Sequence, residues 1–312
     1  MKGYTFIDYA TQAYMGLVGL LLLCFHNASV PEWTYLVAAH AGGMLAVHGL
    51  VRAHAARPGG RALDFFRHFY PILLYTAFYR ETGALNHMFF ADYQDAVVIR
   101  VEQWLFGFQP SLAFMDRLPW LPVSELFYLA YFSYYIMIAG VGLALFLRDR
   151  AQFFHYVSLV SFVFYVCYTL YIFLPVMGPR AFFREIEGYR LPDDLQALAG
   201  TPTFPATVQA GLFYQIMGFI YRSFEAPGAA FPSSHVAVAI STAFFSCLYL
   251  PRIRHFHTIV VILLCVATVY CRYHYVVDVV AGALTAAVLL PLGNRLIARF
   301  GGISVPPGRI TL

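Results

Sequence analysis

Two short stretches carry residue types that could do chemistry: Phe231-Pro232-Ser233-Ser234-His235 and, about 40 residues on, Arg272-Tyr273-His274-Tyr275-Val276-Val277-Asp278. Each lies at the end of an apolar run long enough to cross a bilayer, an expensive place for histidine, arginine and aspartate. His274 and Asp278 are four apart, so on a helix they share a face, and the carboxylate can hold the imidazole. His235 follows a proline and two serines at a predicted helix start, where the Ser233 and Ser234 amides and the helix dipole favour an anion. Two histidines, an orienting carboxylate, arginines and an anion cradle point to phosphoryl chemistry at a membrane surface.

Pro-Ser-Ser-His followed by His-Tyr-Val-Val-Asp-Val-Val-Ala-Gly resembles the type 2 phosphatidic acid phosphatase superfamily. Leu105-Phe106-Gly107-Phe108-Gln109-Pro110 and Pro175-Val176-Met177-Gly178-Pro179-Arg180 make the chain look most like its inositol phosphorylceramide synthase-like (inositolphosphotransferase) branch. The resemblance covers roughly residues 90–285. It implies that His274 is the nucleophile, Asp278 its orienting partner, and His235 the general acid and later the base. A neutral imidazole that attacks phosphorus needs a carboxylate on its other nitrogen to set the tautomer and stabilise the developing charge. Arg180 and Arg272 are the candidate phosphate clamps, because a guanidinium matches phosphate in a fork. Both depart from the family pattern. The common first motif has a lysine where Phe173 stands and an Arg-Pro pair where this chain has Pro-Arg. The common third motif has its arginine where Thr268 stands, whereas Arg272 is only two before the histidine.

Composition argues for an integral membrane protein. The 312 residues are 60% hydrophobic, 18% aromatic and 12% charged, against about 25% charged in soluble domains. The net charge of +4 is too modest to suggest nucleic acid. Cys24, Cys167, Cys247, Cys265 and Cys271 show no C-x-x-C spacing and read as small core residues. The remaining histidines form no convincing ligand pair, so no metal or other cofactor is expected.

Along the chain, apolar runs predict spans near 9–25, 33–51, 65–79, 124–147, 153–174, 232–250, 257–270 and 274–292. The third, with His68 and Pro71, is short for a crossing. Residues 80–122 do not span. There, Asp92, Asp95, Arg100 and Glu102 interleave with Val97, Val98, Val101, Leu105 and Phe106, which predicts an amphipathic helix in the interface. Residues 175–231, with Arg184, Glu185, Glu187, Arg190, Asp193 and Asp194, form a second non-spanning stretch, apolar enough over 207–224 for a short interfacial helix.

Eight crossings leave Arg52, Arg57, Arg61, Arg67, Arg148, Arg150, Arg252, Arg254, Arg295 and Arg299 on one side, with Lys2, and Arg309 closes the chain. The positive-inside rule makes that side and both termini cytoplasmic. Every candidate catalytic residue then faces the periplasmic or extracytoplasmic side. The expected architecture is all-α, a polytopic membrane bundle read as one domain over 1–312. The family resemblance implies a six-helix core over 65–298, to which residues 1–52 add two helices.

The expected activity is cleavage of a lipid-linked phosphate, from a phospholipid or polyprenyl phosphate, through a phosphohistidine. The acceptor would be water in a phosphatase or a hydroxyl in a phosphotransferase. A transporter or lipid-binding protein is the rival from another class, but it predicts broken spans in matched halves, and no such halves are visible.

Overall fold

The computed structural model describes residues 3–57, 59–182, 192–198 and 204–300. Lys2, Arg184, Glu185, Glu187, Arg190 and Arg309, which enter the charge reading, lie outside the described residues. Among the described residues there is no strand, only one bridge between Val176 and Ala229. The helices are α1 (Phe6–Phe25), α2 (Trp33–Ala56), α3 (Arg61–Leu85), α4 (Asp95–Phe106), α5 (Pro110–Arg117), α6 (Leu121–Arg148), α7 (Arg150–Phe173), α8 (Pro179–Phe182), α9 (Ala206–Gln209), α10 (Leu212–Phe224), α11 (Ser234–Tyr249), α12 (Arg254–Tyr270) and α13 (Val276–Phe300). A 3₁₀ turn covers Asp193–Leu198. The fold is an all-α, polytopic helical bundle.

Five helices (α1, α2, α6, α7 and α13) are long and apolar enough to cross a membrane, as fits an integral membrane protein. α3 is longer than its apolar run predicts: 25 residues, continuous through Pro71. Its ends carry Arg61, Asp64, Arg67, Arg80 and Glu81, which hide its length from a hydropathy count. α11 and α12 are apolar but only 16 and 17 residues long, roughly 24–26 Å at 1.5 Å per residue. α11 begins and α12 ends at the turns that carry the candidate site.

α7 is the axis of the bundle, packed against α1, α3, α6, α11 and α13. Its buried aromatic face, including Tyr156, Tyr165, Tyr168 and Tyr171, fills the space between them. α1 is bound into this core by a buried ion pair: Arg67 Nη2 donates to Asp8 Oδ2 at 2.6 Å, and the Tyr70 hydroxyl donates to Oδ1 at 2.7 Å. A buried charge pair holds only when its spare lone pairs are also satisfied, and the Thr5 amide completes this one at 2.7 Å. Similar polar ties join the end of α6 to the end of α11 (Arg148 to the Tyr249 carbonyl, 2.7 Å) and the start of α7 to the end of α13 (His155 to Asn294, 2.6 Å). These ties gather the arginine-bearing helix ends at one end of the bundle, opposite His235 and His274.

Candidate active site

At that opposite end, three backbone segments are laced together. The Val176 carbonyl accepts from the Ala230 amide at 2.8 Å, and the Val176 amide donates to the Gly228 carbonyl at 3.2 Å. This links the turn that leads to Arg180 with the approach to His235. Gly178, at φ +89°, sits against Tyr273, and a β-carbon there would collide with the Tyr273 carbonyl oxygen. The Ser233 amide donates to the Asp278 carbonyl at 3.1 Å, and Gly282 leaves no room for a β-carbon against the Ser233 carbonyl. Arg180, His235 and His274, far apart in sequence, thereby share one small space.

His235 and His274 face each other, with Nδ1 of the first 3.3 Å from Nε2 of the second. Asp278 lies behind His274, its Oδ2 3.4 Å from Nδ1, and accepts the Tyr275 amide at 2.8 Å. The pairing differs from the one expected on a helix face. α13 starts at Val276, so His274 stands in the turn before it, and Asp278 reaches back from the third helical position as a capping carboxylate does. This arrangement leaves Nε2 of His274 open towards His235 and the small cavity both residues border. Burial drives His274 down to about 4, with the Ala230 backbone pulling weakly upward; the imidazole is therefore neutral around pH 7.

Arg180 borders the same cavity. Its guanidinium lies 4.9 Å from the Tyr273 ring centre and 5.8 Å from that of Tyr221, while Tyr273 stacks on Tyr221 and Tyr131 at 4.0 and 4.5 Å. Cation–π contact holds the arginine without using its N–H donors. Among the described residues, buried Arg180 Nη1 and the Tyr273 hydroxyl have no hydrogen-bond partner. Buried donors around a cavity suit an anion with several oxygens.

Other expected contributors lie elsewhere. The Ser233 amide is taken by Asp278, and the Ser234 amide donates to the Tyr171 hydroxyl at 3.1 Å; the Ser233 hydroxyl caps α11 by accepting the Val236 amide at 3.3 Å. The start of α11 has thus spent these groups on its own neighbours, and the phosphate cradle expected there is filled by protein. Arg272 is wholly buried at φ +62° and donates to Asp116 Oδ1 at 2.6 Å and the Leu112 carbonyl at 3.2 Å. It does not border the cavity; the Phe204 ring lies 5.0 Å from the Arg180 guanidinium and 5.2 Å from that of Arg272.

Two carboxylates next to the site went unread as site residues. Asp95 accepts the Met177 and Gly178 amides at 2.8 and 2.9 Å and the Tyr275 hydroxyl at 2.9 Å. Glu102 Oε1 accepts the Val276 and Val277 amides at 2.6 and 3.3 Å. Burial pushes each up to about 7, against the pull of these donors. Periodicity placed both on an amphipathic helix but could not say which face turns inward.

His235 also borders a larger, mostly aromatic groove of about 370 Å³ between α3, α6, α7 and α10, lined by Tyr79, Tyr134, Tyr135, Tyr168 and Tyr221 among others. No curated protein and no solved structure matches the chain. The profile described as PAP2 superfamily matches residues 96–292, which begins at α4 and takes in every residue of the cavity described above except Tyr79. The chain belongs to the PAP2 superfamily, whose membership supports a phosphatase-type enzyme acting on lipid-linked phosphate.

Proposed function

We propose that the protein is a membrane lipid phosphotransferase or phosphatase working through a phosphohistidine. The observation that carries this reading is the opposition of His235 and His274 at 3.3 Å, with Asp278 behind the second and Arg180 on the shared cavity. His274 Nε2 attacks phosphorus as the bond to the leaving oxygen breaks, and His235 gives that oxygen its proton. An acceptor hydroxyl or water then passes a proton to His235 and attacks phosphorus, the P–N bond breaks, and His274 returns neutral. Arg180 and the Tyr273 hydroxyl carry the oxygens whose charge grows in transfer. The negative charge of a bound phosphate favours the imidazolium form of His235 that the first step needs.

The aromatic groove favours an alcohol acceptor over water alone, because it brings about 370 Å³ of largely apolar space to His235. Together with Leu105-Phe106-Gly107, this leans the reading to the inositolphosphotransferase-like branch, moving a phosphorylated headgroup between lipids. The arginine-rich helix ends opposite the site support cytoplasmic termini and a periplasmic or extracytoplasmic active site.

The test is phosphorus release and transfer by the detergent-purified protein on phosphatidate, a polyprenyl pyrophosphate and a phosphoinositide, with and without an alcohol. A new phospholipid that forms only with the acceptor is the expected product. Free phosphate unaffected by acceptor would discard transfer and leave a phosphatase.

The low value at His274 carries a second expectation. The attacking form is the neutral imidazole, so lowering its pKa from 6.5 to about 4 moves the acid limb of kcat/KM to lower pH. With a lipid phosphodiester, which keeps one charge throughout, protonation of His274 costs no kcat/KM between pH 7 and 5.5 and lowers it only towards pH 4. This profile reports the free enzyme, and a limb at pH 6–7 would refute the neutral, buried nucleophile.

A further inference from the structure

α4 is inverted relative to a helix at an aqueous surface. Val97, Val101, Trp104 and Leu105 point outward, Trp104 being 82% exposed, while Asp95 and Glu102 are fully buried. The outward face suits a lipid interface. The inward carboxylates need another reason, since an apolar pair would pack at lower desolvation cost.

That reason lies in what they accept. Asp95 uses both oxygens: Oδ2 for the Met177 amide, and Oδ1 for the Gly178 amide and the Tyr275 hydroxyl. One side chain thereby holds the turn that leads to Arg180 and the residue after His274. Glu102 holds the first two amides of α13 through a single oxygen, two residues beyond His274. Neither carboxylate borders the cavity, so each acts through the backbone of the turns it holds.

We propose that Asp95 and Glu102 are positioning residues of the phosphoryl-transfer site, and that α4 is the strut fixing the His274 turn against the Arg180 turn. The inference rests on the phosphotransfer reading above. Nucleophile and phosphate-binding cation come from segments nearly a hundred residues apart, and a misplacement of about 1 Å between such groups costs on the order of 100-fold in rate.

The oxygen usage sets the test. Asp95→Asn cannot keep all three donors, because one of its two atoms becomes a donor facing an N–H. Glu102→Gln can keep both of its bonds through the remaining carbonyl oxygen, whereas Glu102→Ala keeps neither. Tyr275→Phe deletes only the hydroxyl that joins Asp95 to the His274 segment. Full-length variants in detergent are compared for melting temperature, kcat, KM and the single-turnover rate of forming acid-labile phosphate on His274.

Expected for the folded protein is a loss of kcat of about 100-fold in Asp95→Asn and Glu102→Ala and about 10-fold in Tyr275→Phe. Glu102→Gln should stay within about threefold of wild type. KM should rise in Asp95→Asn, which loosens the Arg180 turn, and hold steady in Tyr275→Phe. Lower melting temperatures with wild-type kcat in the folded fraction would overturn the inference and leave the two carboxylates as stabilising groups. A wild-type protein that turns over no phosphate ester would instead bring down the functional reading, and this inference with it.

Discussion

On the proposed mechanism, the expected result of His274→Ala is loss of turnover, with kcat lowered by at least about 10⁴-fold as on removal of a nucleophile elsewhere, and no acid-labile phosphate on the protein. The effect is this large because no neighbour can replace the lost atom. His235 presents Nδ1 to the His274 ring at 3.3 Å, but Asp278 lies on the far side of that ring, on Nδ1 of His274. Asp278 is therefore not placed to set the tautomer of His235 for attack. The fold has reason to survive the change, because Asp278 keeps its bond from the Tyr275 amide and Glu102 keeps the start of α13. The measurement is single-turnover labelling with phosphorus-labelled lipid, an acid quench, and a melting curve for each protein. Labelled protein in the alanine variant, or turnover within tenfold of wild type, would remove His274 from the nucleophile's place.

The expected result of His235→Ala is a different pattern, and the difference is diagnostic. A general acid and base contributes about 10²–10⁴-fold, but its share of the first step depends on how badly the leaving oxygen needs a proton. With an ordinary lipid alkoxide both steps slow. With an aryl phosphate whose phenolate leaves unaided, the first step recovers while the second still lacks its base, so phosphoenzyme accumulates. Rapid-quench kinetics on the two substrates reads this directly. An equal loss on both, with no accumulation, would mean that His235 binds phosphate or supports the fold and moves no proton. The ring is held against Tyr134 and Tyr131 at 4.6 and 5.2 Å, so a glutamine or asparagine variant, which fills part of that space, separates lost packing from lost proton transfer.

The all-α membrane architecture was legible because long apolar runs in water-free surroundings have one common solution, a helix that satisfies its own backbone. Boundaries were less so. α3 reads short because a hydropathy window penalises Asp64, Arg67, Arg80 and Glu81, yet Asp8 neutralises Arg67 from another helix and the helix runs on. His235, His274, Asp278 and Arg180 were legible as candidates because polar groups beside apolar runs at motif spacing stand out, and the fold brings His235, His274 and Arg180 to one cavity with Asp278 behind His274. Ser233, Ser234 and Arg272 were named on the same grounds and are engaged elsewhere: a helix start has free amides only until Tyr171 and Asp278 fill them, and an arginine clamps phosphate only if Asp116 has not already claimed it.

Local spacing by itself marked which residues could do phosphoryl chemistry and put them beside helix ends, and the order of the apolar runs set a second group of arginines opposite them. Tertiary structure decided which of those donors remain open, and it did so through partners distant in sequence. Asp95 and Glu102 show the reason most clearly. On α4 alone they alternate with valines as any interfacial helix would, and only the packing of that helix over residues 176–178 and 275–277 turns its carboxylates inward. A periodic pattern marks two faces of a helix; which face meets the protein is set by what the rest of the chain has to offer each side.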